Sequence, residues 1–207
     1  MPEVFYLGGA PCGGKTTAAI ALRERHGLRA FELDRHLERA THEGMLAGSA
    51  LLRWASLTSP EETWRRSPVE QSYAQWAVYR AAAPYIRKAL EEMGEGAPIL
   101  AEGAGFLPEV LRDAGVDRGH AVFLAPSPFF QQLHMAERPW AARLLEQAED
   151  PEYAFETWMR RCALLAEAIR GQALELGYPV IGVDENSNER ETAERIERFF
   201  GWNVSQN

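Results

Sequence analysis

Residues Gly9 to Thr16 read Gly-Ala-Pro-Cys-Gly-Gly-Lys-Thr, eight consecutive positions with the chemistry to hold a chain of phosphates. The glycines allow the backbone to curl until successive N–H groups point at one anion, which Gly9, Ala10, Pro11, Cys12, Gly13 and Gly14 would enclose. Lys15 adds a point charge, and the Thr16 hydroxyl is placed to bind Mg²⁺. Thr17 follows at a helix opening, where free amides and the helix dipole favour negative charge. The pattern requires a strand before it and a helix after it. Both are legible: Val4-Phe5-Tyr6-Leu7 is a short apolar run, and the alanine-rich stretch from Thr16 to about Arg25 suits a helix. Of the 22 lysines and arginines only Lys15 and Lys88 are lysines, so one of the two stands where a nucleoside triphosphate needs it. The other reading, a glycine-rich turn with no ligand, leaves that placement unexplained.

The elements that would position this loop follow from hydrophobic periodicity. Glu3 to Leu7, Leu28 to Leu33, Pro98 to Glu102, His120 to Ala125 and Pro179 to Val183 read as strands, and helical stretches separate them. Such alternation implies βαβ units, hence a parallel sheet with helices on both faces, an α/β fold. Helix starts are marked by a capping side chain before a proline at Ser59-Pro60, Ser67-Pro68, Ser127-Pro128 and Asp150-Pro151, and Glu70 completes a capping box with Ser67. The longest predicted helix begins at Pro151 and ends at Gly177. Its stripe of Phe155, Trp158, Cys162, Leu165, Ile169, Ala173 and Leu176 reads as core. A last helix starts near Asn188 and should bury Ile196 and Phe199. The interval from His36 to Ala97 breaks the alternation: it reads as two or three helices with no strand, far more than a crossover needs.

Composition narrows the function. A chain of 207 residues, 46% hydrophobic and 25% charged, suits one domain of 1–207 with an insertion. Its net charge of −8, with scattered arginines, argues against a nucleic-acid partner. No long apolar stretch suggests a membrane partner or a signal peptide, so a cytoplasmic location is expected. Cys12 and Cys162 suit a reducing compartment and lack metal-ligand spacing; Cys12 reads as a small space-filling residue. No Asn-Lys-x-Asp or Leu-Ser-Gly-Gly-Gln segment is present, which weakens a GTPase-switch or transporter reading.

With the phosphate loop, the Glu102-Gly103 turn and the Arg138-Pro139-Trp140 segment in place, the chain resembles P-loop small-molecule kinases related to nucleoside monophosphate kinases and shikimate kinase. It resembles more closely a set of uncharacterised bacterial ATP-dependent kinase-like proteins. The resemblance implies a three-layer α/β/α P-loop NTPase fold with five parallel strands in the order 2-3-1-4-5. It also implies a helical acceptor-binding insertion over 36–96 and a lid over 138–150. ATP and Mg²⁺ are the implied cofactors, and a small-molecule phosphate acceptor is the implied partner.

Ligands of open parallel sheets bind at the carboxyl ends of the strands, where two carboxylates, Asp34 and Glu102, are expected. In the order 2-3-1-4-5 Glu102 would lie near Thr16 and hold Mg²⁺ through water. Asp34, one strand further out, could take the acceptor's proton, or simply cap the helix that follows. Arg138 and Arg143 are the lid candidates for charge on the transferring group, with solvated surface arginines as the alternative. In the insertion, Arg53, Arg65, Arg66 and Arg80 lie among Trp54, Trp64, Tyr73, Trp76 and Tyr79, a mixture that suits either an anionic or ring-bearing acceptor or plain helix packing. The loop Asp184 to Asn188 would run beside the nucleotide base, or serve as a turn and cap. The leading function is an ATP- and Mg²⁺-dependent phosphotransferase acting on a small cytosolic hydroxyl-bearing molecule. The alternatives are a nucleoside or nucleotide kinase and an NTPase switch or binding module.

Overall fold

Alternating side-chain direction in the strands sorts the core into two layers. On β1 (Val4–Gly9), Phe5 and Leu7 face one side while Val4 and Tyr6 face the other; on β4 (Ala121–Pro126), Val122 and Leu124 oppose Ala121 and Phe123. Each set needs its own cover, so helices occupy both faces. The first set packs on α1 (Lys15–His26) and α10 (Glu189–Phe200), the second on α5 (Pro68–Glu91) and α9 (Pro151–Glu175). The computed structural model describes residues 2–146 and 148–202. Residue 147, inside the expected lid, lies outside the described residues, as do residues 1 and 203–207 of the single domain expected from the sequence.

All five strands pair in parallel in the order β2-β3-β1-β4-β5, where β2 is Arg29–Glu32, β3 Ile99–Glu102 and β5 Val180–Val183. This is the expected order. β1 is central, so the loop leaving its carboxyl end stands between the ends of β3 and β4. Among the described residues, no helix is long and apolar enough to cross a membrane.

Four helices, rather than two or three, fill the interval between β2 and β3: α2 (Leu33–Leu46), α3 (Ala50–Leu57), α4 (Pro60–Trp64) and α5. The extra helix has a local cause. Ser59 and Glu62 form a capping box around Pro60, which starts a turn of helix even in a segment this short. Each proline-marked start holds, with Ser59, Ser67, Ser127 and Asp150 accepting backbone N–H bonds as caps. α6 (Pro108–Asp113), α7 (Pro128–Ala136) and α8 (Pro139–Leu145) also open on proline. At the last helix Ile196 is fully buried, whereas Phe199 is half-buried at the margin of the core beside Phe200.

A third apolar cluster binds α7 and α8 to the body. Cys12 of the phosphate loop, Trp64 of α4, Met135 of α7, Ala141 of α8 and Trp158 and Cys162 of α9 pack together. The expected α9 stripe from Trp158 to Ala173 is core, as read from its spacing.

Candidate active site

The phosphate loop is bent by two opposing requirements, close approach to β4 and an open ring of amides. Gly9 has φ 116°, and a Cβ there would collide with the backbone of Leu124; no other residue type fits. Gly14 ends the loop in the left-handed conformation as the N-cap of α1, with no side chain capping the helix. The first amides of α1 are thus left for an external anion. Between them Cys12 is the single non-glycine residue with positive φ, at 57°, among the described residues. A side chain in that region costs on the order of 1 kcal/mol, which packing of the sulfur in the third apolar cluster offsets.

Lys15 is 7% exposed and donates from Nζ to the Ala10 carbonyl at 2.7 Å. Burial lowers its pKa from the ordinary value, and the charges of Glu102 and Asp34 oppose that shift. Thr16 donates from Oγ1 to Glu102 Oε1 at 3.0 Å. Glu102 is itself buried at the end of β3, which raises its pKa, while Lys15 and the Thr16 hydroxyl pull it down. A hydroxyl and a carboxylate at this spacing suit a hard, hydrated divalent cation shared with a phosphate chain. Among the described residues there is no cluster of three or more His, Cys, Asp or Glu, so the protein alone forms no cage for one. The residues present fit both a nucleoside triphosphate and Mg²⁺.

Asp34 is corrected in position. β2 ends at Glu32, and that residue, not Asp34, is the N-cap of α2; its carboxylate makes no cap bond and pairs instead with Arg23 at 3.4 Å and Arg35 at 2.6 Å. Leu33 starts the helix because its side chain is buried under Gly103, where even a Cβ would clash. Asp34 therefore lies exposed in the first turn of α2, in electrostatic reach of Lys15 and Glu102.

A cavity of about 600 Å³ adjoins the loop, lined by Cys12, Gly13, Gly14 and Thr17 and by α7 and α10. Arg138 lines it from the N-cap position of α8 and lies beside Cys12, lowering a thiol pKa that burial raises more strongly. Arg143, further along α8, is exposed and is not among the lining residues. Within the loop from Asp184 to Asn188, Ser187 and Asn188 line the same cavity, although Asp184 and Asn188 are also engaged in a turn and as the cap of α10.

Sequence reasoning missed three contributors. Gln131 of α7, 1% exposed, donates to the Pro11 carbonyl at 2.8 Å and ties the loop to the body. His134 of α7, with Phe130 at 4.2 Å between ring centroids, lines the same cavity as Arg138, and no helical spacing links the two because α7 ends at Ala136. Arg161 adjoins the insertion, where packing takes up most of the expected aromatic and arginine mixture. Trp64 and Tyr79 are buried, Arg65 pairs with Glu61, and Arg80 and Trp76 both reach Glu109.

No protein-family model matches the chain, and no curated protein matches it. Among solved structures, the shikimate kinase from Bacteroides thetaiotaomicron is similar over 96% of this chain and 98% of its own, at a TM-score of 0.54 and 14% identity. TT1252 from Thermus thermophilus is similar over 95% of both chains, at a TM-score of 0.52 and 14% identity. The shikimate kinase from Acinetobacter baumannii, in complex with shikimate, aligns over 96% of this chain and 92% of its own at a TM-score of 0.49 and 19% identity. The chain has the P-loop small-molecule kinase fold.

Proposed function

We propose that the chain is an ATP- and Mg²⁺-dependent phosphotransferase acting on a small cytosolic hydroxyl-bearing molecule. The observation that carries this reading is the convergence of buried Lys15, the Thr16–Glu102 pair and Asp34 at the carboxyl ends of adjacent strands, beside a helix N-terminus without a cap. MgATP, when bound, would supply the transferable phosphoryl group.

The chain's own groups divide the remaining work. The loop amides and the buried Lys15 neutralise phosphate charge with donors already in place. Thr16 and Glu102 hold the hydrated cation. Asp34 accepts the proton of the acceptor hydroxyl, and Arg138 of the lid adds charge over the transferring group, with Arg143 as the second candidate. The segment 36–96 holds the acceptor.

A nucleoside or nucleotide kinase is the second reading, and Asp34 separates the two for a phosphate acceptor, which is already an anion and needs no base. Phosphoryl transfer should be followed by mass gain in a pool of small hydroxylated molecules with ATP and Mg²⁺. On an alcohol, Asp34→Asn should lower turnover by roughly 10²-fold or more and leave ATP affinity nearly unchanged. Full activity of that variant on an alcohol would remove Asp34 as the base. Transfer to a nucleotide phosphate alone would favour the second reading.

A further inference from the structure

Two glutamines are buried among the described residues, Gln71 and Gln131, and they use their amides differently. Gln71 donates to the Arg66 carbonyl at 3.0 Å, five positions away and just before the start of its own helix. Gln131 reaches across the molecule. Its side-chain nitrogen donates to the Pro11 carbonyl of the phosphate loop at 2.8 Å and lies 3.5 Å from the Cys162 carbonyl of α9. Two carbonyls on the nitrogen side fix which way the amide faces, because a carbonyl only accepts.

The donor is held in place by its helix. Ser127 caps α7 by accepting the Phe130 N–H, and it gives its own N–H to the Val183 carbonyl at 2.8 Å, which anchors the helix start to the end of β5. Met135, one turn beyond Gln131, packs in the apolar cluster that also holds Cys12 and Cys162. The Gln131 oxygen is buried without a partner. An unpaired buried acceptor weakens a fold, and an apolar side chain of the same shape would avoid that cost. What Gln131 contributes therefore lies on its nitrogen side.

The Pro11 carbonyl is a sensitive point to hold. A peptide unit is planar and trans, so its carbonyl and its N–H point in opposite directions. Fixing the Pro11 oxygen toward α7 turns the Cys12 N–H away from α7, and among the described residues no main-chain carbonyl accepts from that N–H. The preceding carbonyl, of Ala10, is held in the same way by Lys15 Nζ at 2.7 Å, but its peptide unit ends on Pro11, which has no N–H. The unit from Pro11 to Cys12 is thus the first after Ala10 with an amide to offer an anion. Cys12 also carries the positive φ of 57°, which relaxes toward negative values unless its surroundings hold it.

We infer that Gln131 is a positioning residue: by holding the Pro11 carbonyl it aims the Cys12 amide at the phosphate chain before a nucleotide arrives. A donor set in advance needs no reorganisation when the anion enters. This assignment rests on the phosphotransferase reading, in which the loop takes the phosphates.

The chain has only two cysteines, which gives the test a direct readout. With nitrogen-15 cysteine the amide spectrum holds two signals, and Cys162→Ala assigns them. The probes are tripolyphosphate and MgATP. Each should move the Cys12 amide proton downfield, as a new bond to a phosphate oxygen does, and leave the Cys162 amide nearly in place. Gln131→Met fills a similar space without a donor, while Gln131→Asn keeps the amide but falls one carbon short. Both substitutions should shrink the Cys12 shift and weaken each probe at least about tenfold by calorimetry, with the melting temperature close to the parent's. The assignment is overturned if both variants bind as the parent does, or if the parent binds without moving the Cys12 amide. Loss of the fold in both variants would also overturn it, by making Gln131 a packing residue. Failure of the parent to bind either probe sinks the phosphotransferase reading and the assignment with it, whereas parent binding with undiminished variants sinks the assignment alone.

Discussion

Lys15 shows how much chemistry a single buried ammonium can concentrate. Its bond to the Ala10 carbonyl satisfies one N–H, and the charges of Glu102 and Asp34 oppose the lowering of its pKa that burial imposes. Replacing it by alanine should lower phosphoryl transfer by roughly 10² to 10³-fold, the scale of losing one preorganised donor, with the melting temperature little changed. Parallel thermal and kinetic measurements check this, and activity within tenfold of the parent would discredit the loop as a nucleotide site. Cys12 makes a second prediction. Burial raises its thiol above the ordinary pKa more than Arg138 and Lys15 lower it, so the thiolate is scarce at neutral pH. Its alkylation by iodoacetamide should be slower than that of a free thiol at pH 7 and should still be rising above pH 9; a rate that levels off below pH 8 would contradict it. These residues were legible because spacing alone marks a phosphate loop. Gln131 and Gln71 were not, since their partners are main-chain carbonyls, and in Gln131 the partner is Pro11, 120 positions away.

Helix boundaries proved legible wherever a cap and a proline coincide. Ser67 with Pro68 and Glu70 is the clearest, because the serine, the proline and the glutamate each independently favour the same start. At Asp34 the local signal misled: the carboxylate looks like a cap, but burial of Leu33 against Gly103 begins the helix two residues earlier, with Glu32 at the cap position. Packing overrode propensity there. The expected lid segment shows a similar contrast between two arginines that the sequence could not rank. Arg138, at the start of α8, lines the loop-side cavity, whereas Arg143 is on an exposed stretch of the same helix. Arg138→Ala should therefore reduce turnover at least roughly tenfold while ATP binding changes little, and Arg143→Ala should have the smaller effect. Steady-state kinetics with a nucleotide-binding titration on both variants tests this; equal losses would mean that α8 moves as a unit onto the phosphates.

At the scale of the molecule, five short apolar runs indicate a parallel sheet but carry no information on which strand lies beside which. That order followed from resemblance, and the pairing of β1 with both β3 and β4 agrees with it. One consequence concerns the making of the chain. β2 bonds only to β3, and β1 bonds to β3 and β4, so the two strands synthesised first are not neighbours. A ribosome that has delivered residues 1–97 has released two strands and nothing for either to pair with. During that interval the nascent polypeptide can form helices but no sheet, and its apolar strand faces have only those helices for shelter. A fragment of residues 1–97 should accordingly show helical circular dichroism without a cooperative melt, and a sharp thermal transition in that fragment would refute the idea. Arrival of β3 then joins both early strands at once, so that the ends carrying Lys15 and Asp34 reach their working positions only after Glu102 has been added between them.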